Sequence, residues 1–481
     1  MAKQILKNRT PIIPKPVMTI KPPAKAARLQ KNAPKSTKAD SPKKANVKKT
    51  VQPAKKKIAL ALAGGGPLGA MYEIGVLMAL DEALDGLDLN DMDIYVGVSA
   101  GSFITAGLAN QLTPTDIYRL FIDNKKSGQR KTRSAGLRLN GFETLRPEVF
   151  LRPAFREYFN RARSVPALAW RGLIRFIASS LTLTSSLDKR SPLEAFASLF
   201  RAIPAGIFDN EVIAKFLSET FSHSGRTNDF RQLKHTLYSV AVDLDTGKAI
   251  TFGAPGFDHV PISKAVQASA ALPGLFPPVE IDGHYFVDGA LKKTLNASLA
   301  LEGGAELVLC VNPLVPFDAD AAKRRAGSNN AHMEKLIEGG LPAVLSQTFR
   351  TMIHSRMHVG LEKYVNKYKH ASIVLFEPAS DDAQMFFTNL FSYASRKQVC
   401  EHAYQRTRQD LLKRHFELEP IFKKFGIKMN LEILRDESRT LDSRVFRRGA
   451  KLPKKQRLDE AKLDLTDAIT ALEGFMKHKR V

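Results

Sequence analysis

Three short stretches of this chain combine residue types and spacings that suit nucleophilic catalysis. Gly97-Val98-Ser99-Ala100-Gly101 is a G-x-S-x-G pentapeptide between an apolar run at residues 94–98 and helical spacing over 102–112. A nucleophilic serine at a sharp strand-to-helix turn needs tiny neighbours, because its backbone is strained and its Oγ must stand clear of the sheet. The helix beyond it aims its positive end at a developing oxyanion. The five letters alone are common by chance; an incidental serine in a tight turn would look the same. Their place between strand and helix carries the reading.

Gly64-Gly65-Gly66-Pro67-Leu68-Gly69 is the second stretch. It also matches G-x-G-x-x-G, the phosphate turn of dinucleotide folds, which calls for an acid at the end of the next strand. Asp91 and Asp93 precede that strand, and Ser99 stands at its end. The dinucleotide reading therefore fails. Backbone N–H groups at a helix mouth serve an oxyanion equally well. Pro67 has no N–H, so the donors come from Gly65, Gly66 or Leu68, with Ala100 as partner. The third stretch, Val287-Asp288-Gly289-Ala290, places a carboxylate at a strand's end, since Asp282-Gly283 already turns that hairpin. A carboxylate is a weak base in water, with a pKa of about 4. Burial beside a serine strengthens it, so a direct Ser–Asp contact can take the place of a histidine relay.

The elements that must position these groups are legible nearby. Residues 58–63 form an apolar run ending in the glycines, as a buried strand would. Apolar positions from 67 to 84, including Leu68, Met71, Tyr72, Val76 and Leu80, predict a central helix buried on nearly every face. Two strand–turn–helix units in succession imply a parallel sheet with helices packed on it. Residues 237–242 with 249–252, and 279–281 with 284–287, read as hairpins; 307–311 and 373–376 read as further strands. After about Asp382 the pattern turns helical and polar.

Taken together, a glycine triplet after the first strand, G-x-S-x-G after the second and a late Asp-Gly resemble the patatin-like phospholipases. The stretch Ala268-Ser269-Ala270-Ala271-Leu272-Pro273-Gly274-Leu275-Phe276-Pro277 is similar to that family's A-S-x-A-x-P-x-x-F-P. The resemblance covers roughly residues 57–380. It implies a three-layer α/β/α fold with a mainly parallel central sheet and a serine carboxylic-ester hydrolase that works through an acyl-enzyme. Ser99 would be the nucleophile and Asp288 the base. Gly64, Gly65 and Gly66, with Ala100, would form the oxyanion hole; Gly69, Gly97, Gly101 and Gly289 complete the motifs. The implied substrates are lipid acyl esters, commonly phospholipids or lysophospholipids, with no metal or organic cofactor. In two places the chain departs from the family pattern. Leu68 stands where the family usually carries Arg or Lys, and Asp-Gly-Ala replaces Asp-Gly-Gly.

Charge divides the chain into three parts. Residues 1–57 hold seventeen Lys/Arg and one acid, Asp40, so +16 of the total +25 lies there. Such a Lys/Pro/Ala-rich segment cannot bury enough apolar surface to order itself. Residues 1–56 are therefore expected to be a disordered tail suited to an anionic membrane surface or another polyanion. Residues 57–380 would be the catalytic domain, with 121–232 as an insert or lid, and 381–481 a basic helical extension. Within the insert, Trp170, Leu173, Ile174 and Ile177 share one helical face and Arg171 and Arg175 another, which suits a lipid interface or an ordinary packed helix equally. No apolar run reaches the length of a membrane span, and the first residues lack a signal-peptide core. Cys310 and Cys400 lie far apart, without metal or disulfide spacing. A cytoplasmic protein, peripheral at membranes, is the expectation.

Two rival readings stay open at this level. A Ser-His-Asp triad could use His332, His354, His358, His370, His402 or His415, none of which its context singles out. A weakly active scaffold tethered by its basic termini to membranes or nucleic acid would fit Leu68 and the tail, but has no need of Ser99 and Asp288.

Overall fold

The computed structural model describes residues 56–122, 205–326, 336–387 and 393–443. The basic tail before residue 56, the stretch around Trp170 and everything after residue 443 lie outside the described residues.

Strand β1 (Ile58–Leu62) runs into helix α1 (Gly66–Ala83), and the short β2 (Leu84–Asp85) follows. Strand β3 (Ile94–Val98) then leads into α2 (Ala100–Ala109). This helix starts two residues earlier than the apolar spacing alone suggests, because Ala100 and Gly101 are small enough to begin the turn immediately after Ser99. Beyond it come β4 (Thr236–Asp243), β5 (Ala249–Phe252), α3 (Ile262–Ser269), β6 (Val279–Ile281) and β7 (His284–Asp288). The chain continues through α4 (Ala297–Glu302), β8 (Leu307–Val311), α5 (Gly340–Lys367), β9 (Ser372–Phe376) and α6 (Tyr393–Lys413). Finally β10 (Lys428–Met429) pairs with β2 as a separate two-stranded ribbon.

Among the described residues the main sheet has eight strands, in the order β6-β7-β4-β3-β1-β8-β9 with β5 also on β4. Strands β4, β3, β1, β8 and β9 are mutually parallel, while β5 and β7 run antiparallel to β4. Both hairpins read from the sequence are present, as are the two late strands.

Alternation along the strands builds a core on each face. On β1, Leu60 and Leu62 point to the face covered by α1, α2 and α3, whereas Ala59 and Ala61 point to the face covered by α4 and α5. A period of two places successive side chains on opposite faces, so a strand buried on both reads as continuously apolar. The result is the mixed α/β fold, mostly parallel and layered, that the sequence predicts.

Helix α1 is buried along almost its whole length, from Leu68 to Leu80. Its outer side is covered by α6, whose Val399, Cys400, Ala403 and Tyr404 are fully buried. Contact is close because α1 carries Gly75 there: a Cβ on it would lie 2.4 Å from the Cys400 carbonyl oxygen and 2.7 Å from the Ala403 Cβ. Tyr404 and Arg439 both reach Glu82 near the end of α1. The polar helical region after residue 382 thus packs directly against the helix that leads away from the glycine loop. Gly75→Val should force the two helices apart and cost on the order of 1–3 kcal/mol, typical of overpacking. Urea unfolding would show the loss, and a variant as stable as the parent would mean that α6 does not pack on α1 in solution.

Candidate active site

The strained turn expected at Ser99 is present. Its φ is 53° and its ψ −122°, and it is one of three non-glycine residues with positive φ among the described residues. Strain of this kind costs about 1–3 kcal/mol and persists only where the surroundings enforce it. Here the flanking glycines allow α2 to sit hard against the sheet. A Cβ on Gly97 would come within 2.3 Å of Thr105 Oγ1, and one on Gly101 within 2.7 Å of the Ala63 carbonyl oxygen. The Ser99 N–H donates to Ser269 Oγ at 2.8 Å, and that hydroxyl donates to the Val240 carbonyl at 2.6 Å. The turn is therefore anchored to β4 through a single buried serine.

Strand register brings the late aspartate to the same level. Val98 pairs with Val240, so Ser99 follows at the level of Ala241, and Ala241 is the partner of Asp288. The Ser99 hydroxyl and the Asp288 carboxylate come from opposite sides of β4 and lie near enough for the hydroxyl to favour the charged carboxylate. The Asp288 N–H donates to the Ala271 carbonyl at 2.9 Å, and Ala290 N–H donates to the Asp288 side chain at 2.8 Å. Gly289 is required because a Cβ would meet the Val240 carbonyl oxygen at 2.2 Å. Ser99 and Asp288 are buried, at 5% and 3% exposure. Burial raises the Asp288 carboxyl from its ordinary 3.8 to about 6, against the Ser99 hydroxyl and the Ala290 N–H, which hold it down.

The glycine triplet lies alongside. Gly64 has no room for a side chain, since its Cβ would be 3.2 Å from the Ser99 Cβ and 2.8 Å from the Ala290 Cβ. Gly65 and Gly69 are both pressed against Pro313, which follows β8. Gly66 differs: a Cβ there meets nothing within 4 Å, but its φ of +59° is a conformation that favours glycine. The Gly64 N–H donates to the Thr294 carbonyl at 3.3 Å. Among the described residues the N–H groups of Gly65, Gly66 and Ala100 have no backbone acceptor, and they stand at the first turns of α1 and α2. Leu68 is buried in the core at 7% exposure, so the residue that replaces the family's usual cation faces apolar packing.

Three contributors went unnoticed as individuals in the sequence: Ser269, Ala271 and Thr294. The first two belong to the Ala268–Pro277 stretch, whose letters are visible but whose contacts are not. Thr294 acts through its carbonyl, which leaves no trace in residue type.

A family model for patatin-like phospholipases matches residues 60–301. The chain belongs to the patatin-like phospholipase family. By class it is a lipid acyl hydrolase. Among solved structures it is similar to VipD from Legionella pneumophila, at 13% identity over 88% of this chain and 86% of that one, with a TM-score of 0.28. It is also similar to the type III effector ExoU, at 16% identity over 89% of this chain and 63% of that one, TM-score 0.30. Against ExoU of Pseudomonas aeruginosa in complex with SpcU it is 17% identical over 65% of this chain and 53% of that one, TM-score 0.24. The chain thus spans 53% and 63% of the length of these two ExoU chains. No helix among the described residues is long and apolar enough to cross a membrane.

The state of Asp288 has a measurable consequence. Between about pH 4 and pH 6 the folded chain holds a proton that the unfolded chain has released. The stabilisation this proton confers is full below about pH 4 and is lost as pH rises through 6. Asp288→Asn, neutral throughout, should therefore melt higher than the parent at pH 8 and match it near pH 4. A shift of about two units sets an upper limit of ~3 kcal/mol on the difference. Scanning calorimetry at the two pH values checks it; equal melting at pH 8 would mean that the buried charge carries no strain.

Proposed function

We propose that this member of the patatin-like phospholipase family hydrolyses phospholipid or lysophospholipid acyl esters through a Ser99–Asp288 dyad. Asp288 takes the proton as Ser99 Oγ attacks the acyl carbon. The N–H groups of Gly65, Gly66 and Ala100 receive the oxyanion, and the alcohol departs with the proton. Water, activated by the same carboxylate, then releases the fatty acid from Ser99. The observation that carries this reading is a strained, buried serine whose hydroxyl acts on a buried carboxylate raised to about 6. Such a base is largely ionised at neutral pH yet stronger than one in water, as proton abstraction asks.

A histidine relay finds less support. Asp288 accepts from the Ala290 N–H and is influenced by the Ser99 hydroxyl, and no histidine among the described residues contributes to its ionisation. His354 and His358 lie beside Glu377, His402 bonds Asp382 at 2.6 Å, His415 pairs with Glu419, and His370 packs edge-on to Tyr368. His332 is outside the described residues.

Ser99→Ala and Asp288→Asn should each abolish turnover of a p-nitrophenyl acyl ester with the fold intact. In the parent, kcat/KM should rise tenfold per pH unit below about 6 and level off above it. A fluorophosphonate probe should label Ser99. Should one His→Ala variant be as inactive as Ser99→Ala while still folded, the triad replaces the dyad. The expected products are free fatty acid and a lyso- or glycerophosphodiester, read by lipidomics against Ser99→Ala.

The basic tail is assigned to the anionic membrane surface on which such substrates lie. The +14 of residues 1–55 should act through many weak contacts, screened at a Debye length of roughly 8 Å in physiological salt. Deleting residues 1–55 should leave soluble-ester turnover unchanged and weaken sedimentation with phosphatidylserine vesicles, the difference shrinking as salt rises. Tight binding to duplex DNA without vesicle binding would reassign the tail to nucleic acid.

A further inference from the structure

A second cluster of chemically active groups lies on the opposite flank of the sheet, where β9 is two strands removed from β1. His354 and His358 are four residues apart on α5, so their rings leave the same helix face. Their Nε2 atoms are 3.0 Å apart, and the rings stand 4.3 Å from centroid to centroid. Glu377 follows β9 directly. One of its carboxylate oxygens is 3.7 Å from His354 Nε2 and the other 4.0 Å from His358 Nε2.

We propose that His354 Nε2, His358 Nε2 and a Glu377 carboxylate oxygen bind one zinc-class divalent ion, with water completing a four-coordinate shell.

The geometry fits this ion. Zinc bonds imidazole nitrogen at ~2.0–2.1 Å and carboxylate oxygen at ~2.0–2.2 Å, which sets donor atoms about 3.3–3.5 Å apart in a tetrahedron. The two imidazole nitrogens are 3.0 Å apart, and each has a different Glu377 oxygen at 3.7 or 4.0 Å, so closure needs a turn of the carboxylate that brings one oxygen to both nitrogens. The donor set of two imidazoles and one carboxylate suits zinc and its neighbours. Magnesium and calcium prefer oxygen throughout.

Support behind the ligands is built in. Asn312, fully buried at the end of β8, donates from Nδ2 to Glu377 Oε2 at 3.2 Å, while its own N–H donates to the Phe376 carbonyl at 2.9 Å. Second contacts of this kind fix the orientation of a metal-binding carboxylate. Met357 and Leu361 are buried against the sheet and hold α5 in place between and beyond the two histidines. The His354 and His358 side chains keep 24% and 31% exposure, so an ion can enter and a water can coordinate. A comparable grouping of Asp243, Asp245 and His284 lacks this character. There, Asp243 already accepts from Asp245 N–H, Thr246 N–H and Thr246 Oγ1, and it closes a turn.

The ion would tie α5 to the end of β9. The same helix also walls a cleft opposite Lys293, Thr294 and Leu295, the segment that leads away from Asp288. Its role is therefore positional, apart from the reacting atoms.

The test uses the full chain, stripped with a chelator and titrated with Co²⁺ as a spectroscopic stand-in for Zn²⁺. One equivalent should bind with the intense visible absorption of a four-coordinate site. Zn²⁺ should displace it, and millimolar Mg²⁺ should not. Added Zn²⁺ should raise the melting temperature of the parent. His354→Ala and His358→Ala should each weaken Zn²⁺ affinity by about 100-fold or more, and Asn312→Ser by about 10–100-fold through the loosened carboxylate. X-ray absorption at the zinc edge of the parent should show two imidazoles and oxygen ligands, a readout that survives even if a variant fails to fold. No stoichiometric Co²⁺ uptake by the parent would overturn the proposal, as would unchanged affinity in folded His354→Ala and His358→Ala.

Discussion

A carboxylate that is kept from water and given few hydrogen bonds is the constraint on which the rest of this structure turns. Asp288 has 3% exposure, one bond from the Ala290 N–H and the Ser99 hydroxyl nearby, so its charge is poorly solvated and its pKa climbs to about 6. Everything around it either enforces that environment or exploits it. Gly289 lets the chain pass under the Val240 carbonyl, and Ala271 holds the Asp288 N–H. Strand β4, between β3 and β7, sets the spacing that the two side chains bridge.

Ser99 meets the same constraint from the other side. Its positive φ is stabilised by packing that only glycine permits at positions 97 and 101, and by the Ser269 hydroxyl that ties the turn to β4. The glycine triplet then fits against both partners, with Gly64 touching Ser99 and Ala290, and Gly65 and Gly69 against Pro313. Two helix starts and one strained turn converge on a small volume because each neighbour has given up its side chain. Leu68 fits this economy of space: buried in the core, it contributes packing where the family's basic residue would contribute charge.

The helical region after residue 382 belongs to the same logic. Through Gly75 and the fully buried Ala403 and Tyr404, α6 covers the outer side of α1, the helix whose first turn carries the glycine loop. On the far face, α5 and the end of β9 bring His354, His358 and Glu377 together. Both faces of the sheet thus carry contacts that fix helices bordering the segments around Ser99 and Asp288.

What the sequence determined by itself was local: short apolar runs bounded by glycine, helical spacing in α1, two hairpins, one of them turned by Asp282-Gly283, and the order of three motifs. Each depends on residues within a few positions of one another, where period and turn chemistry are direct physical signals. The tertiary structure alone decided which groups meet. Ser99 and Asp288 face each other because of strand register across β4, and Ser269 supports Ser99 through a contact between distant segments. Thr294 contributes a carbonyl, which every residue has and which therefore marks nothing in the chain. Gly66 and Gly64 look alike in the triplet, yet one is needed for its backbone angle and the other for its missing Cβ. His354 and His358 have a visible helical spacing, but their carboxylate partner lies beyond the helix on another strand, and only the folded sheet brings it within reach.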